Sequence, residues 1–512
     1  MAHYGDVVSG NGFRHLQADS VVFSNAFYSH GDTRSAPGHA TIMTGAAPSV
    51  HGITDNAWYK SGVAHPVGCV DDDDADSIGP VDAYDSIGFS PKRLMAQTLG
   101  DALKDQLGVQ SRVWSISLKP TTAVISGGAK ADGAIWFNTK AGAFMTSTYY
   151  TPSAWSWLTE MDADDSFGRW LHAKWDRVLP ASRYAKFGPD EAPWEMGFKL
   201  LWLNTLPKIL GPSMPEPNRV YYEQLQASPF GNELVFQMAR EVIKQESLGK
   251  DEIPDLLILS LSSVDFCGHI FGPDSHEMVD MLARTDSQIG QWIDYLNETI
   301  GPDGYAMVLT SDHGVSPVPE KMQAAGLGGG RLDLQETLKA FHQAIADRFE
   351  DTRDGTYYVT AVDFPWVYLN RRILRYHKID VNEAAHVVAA KAKQMQGISQ
   401  AVVVADLAKK QTGSLSPLER GILDSTYPER SGEVYIHLDR YWYRTGAATG
   451  HGSFHNYDRH VPLMFFGSGF RKGVHDERID MRDVAPTLSR VLGIKPPRQS
   501  TGSVLRSALS AS

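Results

Sequence analysis

Residues 255–269 read D-L-L-I-L-S-L-S-S-V-D-F-C-G-H. The run Leu256–Ser263 is apolar without polar alternation, the pattern of a strand buried on both faces of a parallel sheet. It leads directly into two metal-competent side chains, Asp265 and His269. Val113–Ser117, Ala306–Thr310 and Val461–Phe466 have the same apolar character. Helical patterns lie between them. Ser90–Pro91 reads as a cap followed by a first-turn proline. The segment Met278–Leu296 places Met278, Met281, Leu282, Ile289, Trp292, Ile293 and Leu296 on one stripe. Strands alternating with helices predict an α/β sandwich.

Two stretches break this rhythm. Residues 140–247 are rich in Trp, Tyr and Pro, and residues 325–443 mix a helix over Leu332–Phe349 with strand-like Tyr357–Asn370 and Gly432–Leu438. The expected organisation is therefore a catalytic domain in three pieces, 1–139, 248–324 and 444–512. It is interrupted by a lid insertion (140–247) and an α+β cap insertion (325–443). Ligands of open α/β folds bind beyond the strand C-termini, where such insertions shape access.

Bulk properties narrow the function. The 512 residues carry a net charge of −12, which disfavours nucleic acid and anionic membranes as stable partners. An anionic substrate stays compatible with this charge, because bound cations reverse the field inside a cleft. Cys69 and Cys267 are too few for a disulfide scaffold; buried packing and a single bridge are both compatible with the sequence. No apolar run approaches the ~18 residues of a membrane span. The opening M-A-H-Y-G-D-V-V-S-G-N-G-F shows no basic and apolar regions of a signal peptide.

Asp and His recur at strand ends. L-T-S-D-H-G places Asp312 and His313 after Ala306–Thr310, and T-G-H-G-S-F-H-N-Y-D places His451 in a glycine-flanked loop before Val461–Phe466. Singly, each has a bland reading as a helix cap or a satisfied structural histidine. Together they matter more, since parallel strands deliver their C-terminal ends to one edge. Asp oxygens and His nitrogens suit zinc and related cations, and five such ligands are enough for two ions. Paired cations point to in-line phosphoryl chemistry. S-A-P-G-H-A-T-I-M-T-G, residues 35–45, then offers Ser35 at the start of a helix. Helix N-termini favour phosphate, and a serine hydroxyl is activated by metal coordination.

These segments, with H-G-I-T-D-N-A-W (51–58), G-H-G-S-F-H-N-Y-D-R-H-V-P-L-M-F-F-G (450–467) and D-M-R-D-V-A-P-T-L-S-R-V-L-G-I (480–494), resemble the alkaline phosphatase superfamily. The nearest branch is that of the type I phosphodiesterase/nucleotide pyrophosphatase-related alkaline phosphatases. The resemblance implies an α/β sandwich with a central, mostly parallel sheet and inserted caps. It implies a phosphate ester hydrolase working through a phosphoseryl intermediate, with Ser35 as the nucleophile where the branch usually carries Thr. Asp265, His269 and His451 would hold one zinc ion; Asp312, His313 and the Ser35 oxygen would hold a second. Asn56 and Lys119 would contact the transferred phosphoryl group. Small phosphorylated compounds would be the substrates, the location periplasmic or secreted, and a monomer the default state.

Two departures qualify this expectation. The branch has Lys-x-Arg where this chain has Lys119-Pro120-Thr121, and Thr121 cannot supply an Arg fork. Monoesters carry one more negative charge than diesters. A phosphodiesterase, nucleotide pyrophosphatase or phosphonate hydrolase is therefore the alternative reading. The branch also has an apolar strand ending in a metal-ligating Asp ahead of the nucleophile. Before Ser35 the only acids are Asp6, Asp19 and Asp32, none in that setting, which suggests a missing first strand and raises a third reading, an inactive relative that binds phosphorylated ligands. A sulfatase is less favoured still, because Ser35-Ala36-Pro37-Gly38-His39 lacks the Arg of the sulfatase setting. His39, His51, His276, His455 and His460 are read as packing or orienting residues. Tyr149, Tyr150 and Trp155 are read as aromatic packing of the first insertion or part of its lid.

Overall fold

Two mixed sheets form the centre of the molecule, and the uninterrupted apolar runs build most of them. The computed structural model describes residues 2–8, 10–61, 63, 65–79, 87–163, 167–350 and 357–510. In chain order the elements that position the site are β1 (Val21–Phe27), α1 (Ser35–Thr44), α2 (Leu99–Leu107), β2 (Val113–Ser117), α3 (Pro120–Gly127), β3 (Gly133–Asn138) and β4 (Ala143–Ser147). Next come α4 (Pro229–Glu246), β5 (Leu256–Ser260), α5 (Ser263–Phe271), α6 (His276–Thr299) and β6 (Ala306–Thr310). The 325–443 stretch contributes α7 (Leu334–Arg348), β7 (Val359–Asp363), β8 (Trp366–Leu369), α8 (Val381–Ala392), β9 (Ile398–Val403) and β10 (Val434–Leu438). The chain closes with β11 (His460–Gly467) and β12 (Gly473–Asp480).

The first sheet has the order β5-β2-β3-β4, followed by the short strand Ser77–Ile78. β2 pairs in parallel with both β5 and β3, while β3 and β4 are antiparallel. The second sheet has the order β6-β11-β1-β12, with β11 antiparallel to both neighbours and β1 parallel to β12. β1 escaped the sequence reading because Ser24 and Asn25 interrupt its apolar run, and its register with β11 shifts between Phe23 and Ala26.

β5 and β6 are each the outer strand of their sheet. Leu257 and Leu259 of β5 and Met307 and Leu309 of β6 pack against one shared hydrophobic cluster, which includes Val235, Met281, Ile289 and Trp292 of α4 and α6. Every residue of β5 is only half-buried. Among the described residues, no strand pairs with the outer edge of either.

The 140–247 stretch does not form a separate apolar core. Trp157, Trp170, Trp175 and Trp202 are buried in the same cluster as Trp114, Ile116 and Phe137 of β2 and β3. Each fully buried large apolar side chain adds roughly 1.5–3 kcal/mol, so this stretch is integral to stability. Tyr149 and Tyr150 donate to the carbonyls of Ala129 and Gly128, and Trp155 stacks on Trp157, all as packing contacts. The cap does have its own cluster, in which Phe341 and Ile345 of α7 and Val388 of α8 lie against Val367, Ile398 and Ile436. Its sheet is antiparallel, in the order β7-β8-β10-β9.

Pro91 opens no helix. The Ser90 hydroxyl donates to buried Asp72 and accepts from the Lys92 amide, which closes a local turn. The helix starts at Leu99 instead, behind a Thr98–Asp101 capping box. Cys69 and Cys267 are both buried and unbridged.

Candidate active site

The C-terminal ends of β5 and β6 and the loop before β11 converge on the N-terminus of α1. Ser35 is the first residue of α1, and Arg34 is its N-cap. Ser35 is therefore not the cap itself. Ser35 is 4% exposed, and its hydroxyl lies 3.2 Å from His313 Nε2. α1 reaches this position by close backbone approach: a Cβ on Gly38 would stand 2.1 Å from the Asp312 carbonyl oxygen, a contact only glycine permits.

Asp265 lies in the first turn of α5 and His269 one turn later, on the same face. His269 Nε2 is 3.2 Å and His451 Nε2 3.6 Å from Asp265 Oδ1. Among the described residues, Asp265, His269 and His451 form the one group of three His, Cys, Asp or Glu residues whose ligand atoms all lie within 4.8 Å of one another. Beside them, Asp312 Oδ2 is 3.3 Å from His313 Nε2. Lys119 Nζ donates to Asp265 Oδ2 at 2.5 Å. The Asn56 side-chain oxygen accepts from the Ala36 amide at 2.8 Å.

All three imidazoles are oriented alike. His269 Nδ1 faces the Thr449 carbonyl at 2.9 Å, His313 Nδ1 the Gly314 carbonyl at 2.9 Å, and His451 Nδ1 the Thr33 carbonyl at 2.8 Å. Each Nδ1–H donates to a backbone oxygen, which turns Nε2 away from that carbonyl. This is the arrangement that presets metal-ligating histidines. Burial would raise the Asp265 carboxyl, but Lys119 and then His269 hold it well below the usual carboxylate range. Burial, reinforced by His313, keeps the His451 imidazole neutral. A carboxylate and two imidazoles are a donor set that fits zinc.

Thr121 lies in the first turn of α3. It takes no part in the contacts above; Thr122 bonds to Ser117 instead. Of the acids ahead of Ser35, Asp6 is exposed and paired with Lys186, and Asp19 is paired with Lys472. Asp32 is buried beside Arg34, and none of the three joins the Asp265 cluster. His455 and His460 bond to the carbonyls of Leu438 and Ser24, and His276 contacts Asp190. His51 is held between Thr41 and the Ile53 amide. His39, by contrast, lies 3.5 Å from Asp312 Oδ2 and 3.0 Å from Ser126 Oγ, so it orients a site carboxylate.

Sequence reasoning missed a charged network behind Ser35. Arg34 Nη1 donates to both oxygens of Asp55 at 2.8 Å, and Nη2 donates to Asp363 at 2.9 Å and to the Phe364 carbonyl. The sequence shows Asp55 beside Asn56, but Asp363 lies 329 residues from Arg34 and nothing in the pattern joins them. A cleft of about 510 Å³ opens over this region, lined by Arg34, Asn56, Asp363, Tyr443 and His451 among others.

A serine at a helix N-terminus, facing a cluster of Asp and His at strand ends, defines a phosphoric ester hydrolase of the alkaline phosphatase superfamily. The chain belongs to the type I phosphodiesterase / nucleotide pyrophosphatase family, which matches residues 8–460. It is 30% identical over 512 residues to alkaline phosphatase PhoV of Synechococcus elongatus, spanning 99% of this chain and 89% of that protein. It is 27% identical to alkaline phosphatase PafA of Elizabethkingia meningoseptica, over 96% of this chain and 88% of that one. The crystal structure of wild-type PafA superimposes with a TM-score of 0.89 at 26% identity, covering 99% and 96% of the two chains.

Proposed function

We propose that this phosphoric ester hydrolase acts on small phosphate esters through Ser35. The observation that carries the reading is the Ser35 hydroxyl in contact with His313, at the helix N-terminus next to the Asp265–His269–His451 cluster. Asp265, His269 and His451 would hold one divalent cation, and Asp312, His313 and Ser35 a second, with zinc favoured by the donors. Such ions supply positive charge that makes the serine hydroxyl more acidic and offsets charge on the departing oxygen.

Ser35 Oγ attacks phosphorus in line as the bond to the leaving alcohol breaks, and the alcohol departs with the proton equivalent. Water then attacks the phosphoseryl group, frees inorganic phosphate and restores the hydroxyl. The Asn56 NH2 and the Lys119 ammonium stabilise charge growing on the phosphoryl oxygens, while the Ala36 amide holds the Asn56 side-chain oxygen. Because Asp265 carries the Lys119 hydrogen bond, Lys119 stands beside the proposed metal ligands.

Replacing Ser35 by Ala is expected to abolish turnover of nitrophenyl phosphate while bound zinc stays unchanged. Undiminished activity would overturn the assignment. Wild-type protein quenched in acid during turnover should carry a phosphate on Ser35 by mass spectrometry.

A second reading rests on Thr121. With one cation at the Lys119 position, the site discriminates less strongly for the extra charge of a monoester, so diesters and phosphonates are competing substrates. No helix among the described residues is long and apolar enough to cross a membrane. The resemblance to secreted phosphatases favours action outside the cytoplasm, which cell fractionation would test.

A further inference from the structure

The segment that leads into Ser35 is gripped from one side by the cap insertion. Ser425 Oγ accepts from the amides of Gly31 at 2.7 Å and Asp32 at 3.1 Å. The Tyr435 hydroxyl donates to the Gly31 carbonyl at 2.5 Å, and Trp366 Nε1 donates to Asp32 Oδ2 at 3.0 Å. Asp363, the last residue of β7, takes both Nη groups of Arg34 at 3.0 and 2.9 Å. On its other side the same segment serves the site. Thr33 offers its carbonyl to His451, and Arg34 grips Asp55, whose Oδ1 accepts from the Asn56 amide at 2.6 Å.

Arg34 therefore stands one peptide bond from the nucleophile with its guanidinium committed. Nη1 and Nη2 face carboxylates and a carbonyl, and Nε lies 3.7 Å from Asp32. It is enclosed by the carboxyls of Asp32, Asp55 and Asp363. An arginine held in this way is neutralised and cannot replace the missing fork at Thr121 as a phosphoryl ligand. What it does is transmit position. A planar guanidinium bound to two carboxylates fixes its own orientation, and so the backbone that carries Ser35.

We propose that Asp363 is a positioning residue for phosphoryl transfer. Through its paired hydrogen bonds to Arg34, the cap insertion holds the Ser35 hydroxyl and the Asn56 amide in register with the Asp265–His451 cluster. The inference rests on the reading of Ser35 as nucleophile. Asp363 suits this role because its side chain is 30% exposed, so replacing it leaves Arg34 paired with Asp55 rather than stranding a buried charge.

The test is Asp363→Asn in the full chain loaded with zinc, assayed with nitrophenyl phosphate. A misplacement of the order of 1 Å at a reacting group costs roughly a hundredfold. The expected result is a fall in kcat of about ten- to a hundredfold, with KM within about threefold, and with zinc content and melting temperature near wild type. A merely structural role would lower the melting temperature and leave kcat per folded molecule intact. Wild-type kcat in Asp363→Asn overturns the proposal. Should that variant fail to fold, Asp363→Glu is read the same way: a lowered kcat at full zinc content supports it, and an unchanged kcat overturns it. Ser35→Ala assayed in parallel separates the two claims. Retained turnover there removes the nucleophile reading, whereas a dead Ser35→Ala beside a normal Asp363→Asn removes only this one.

Discussion

The imidazoles of His313 and His451 lie face to face, with ring centroids 3.3 Å apart and planes 12° from parallel. One ring follows β6 and the other precedes β11, so strands far apart in sequence bring them together. Both rings are tied through Nδ1 to backbone carbonyls. The stack sets His451, of one proposed cation set, directly against His313, of the other. Removing bound metal with a chelator is expected to lower the melting temperature, because a ligand at a hundred times its Kd stabilises by about 2.7 kcal/mol. Calorimetry before and after chelation, with zinc restored at the end, checks this; an unchanged transition would argue against metal in the native site.

Gly38 is the point at which α1 touches the Asp312 loop. With a Cβ only 2.1 Å from the Asp312 oxygen, Gly38→Ala must push the helix or the loop aside. Activity is expected to fall about a hundredfold or more through displacement of Ser35 from His313. Steady-state kinetics beside a melting curve tells displacement from unfolding.

Thr121→Arg restores a guanidinium two residues after Lys119. A charged hydrogen bond adds roughly 1.5–3 kcal/mol, so the ratio of monoester to diester kcat/KM should rise about tenfold. A ratio unmoved by the substitution would show that position 121 does not face the phosphoryl group.

His30 couples stability to acid. Burial, the main cause, lowers its pKa to about 3. In the unfolded chain a histidine takes up its proton near pH 6.5. Between these values the unfolded state binds one proton more, so stability falls as pH drops, by about 1.4 kcal/mol per pH unit from this group. Above pH 6.5 both states are neutral and the contribution vanishes. His30→Phe should flatten the stability profile between about pH 6 and pH 4, as read from urea midpoints.

Among the described residues no strand pairs with the outer edges of β5 and β6, which carry half-buried apolar side chains. Such edges attract apolar ligands and other strands. The folded protein is expected to bind a hydrophobic-surface dye well above the level of a closed α/β domain. Absence of dye binding under native conditions would contradict open edges in solution.

Much of this architecture follows from local chemistry. Leu256–Ser260, Ala306–Thr310 and Val113–Ser117 declare themselves as strands because residues buried on both faces cannot alternate. Asp265, His269, Asp312, His313 and His451 announce a shared edge because each follows a strand or sits in a glycine-flanked loop. Where side chains competed with the backbone, local reading failed. Ser90 turned a helix cap into a turn with Asp72, and Ser24 with Asn25 hid β1. Motif and order in the amino-acid chain alone established the enzyme class and the candidate ligands. Only the folded molecule joined Arg34 to Asp363, set His39 against Asp312 and stacked His313 on His451. Those partners lie more than a hundred residues apart, and their pairing is decided by how the 325–443 stretch and the two sheets pack rather than by any neighbouring sequence.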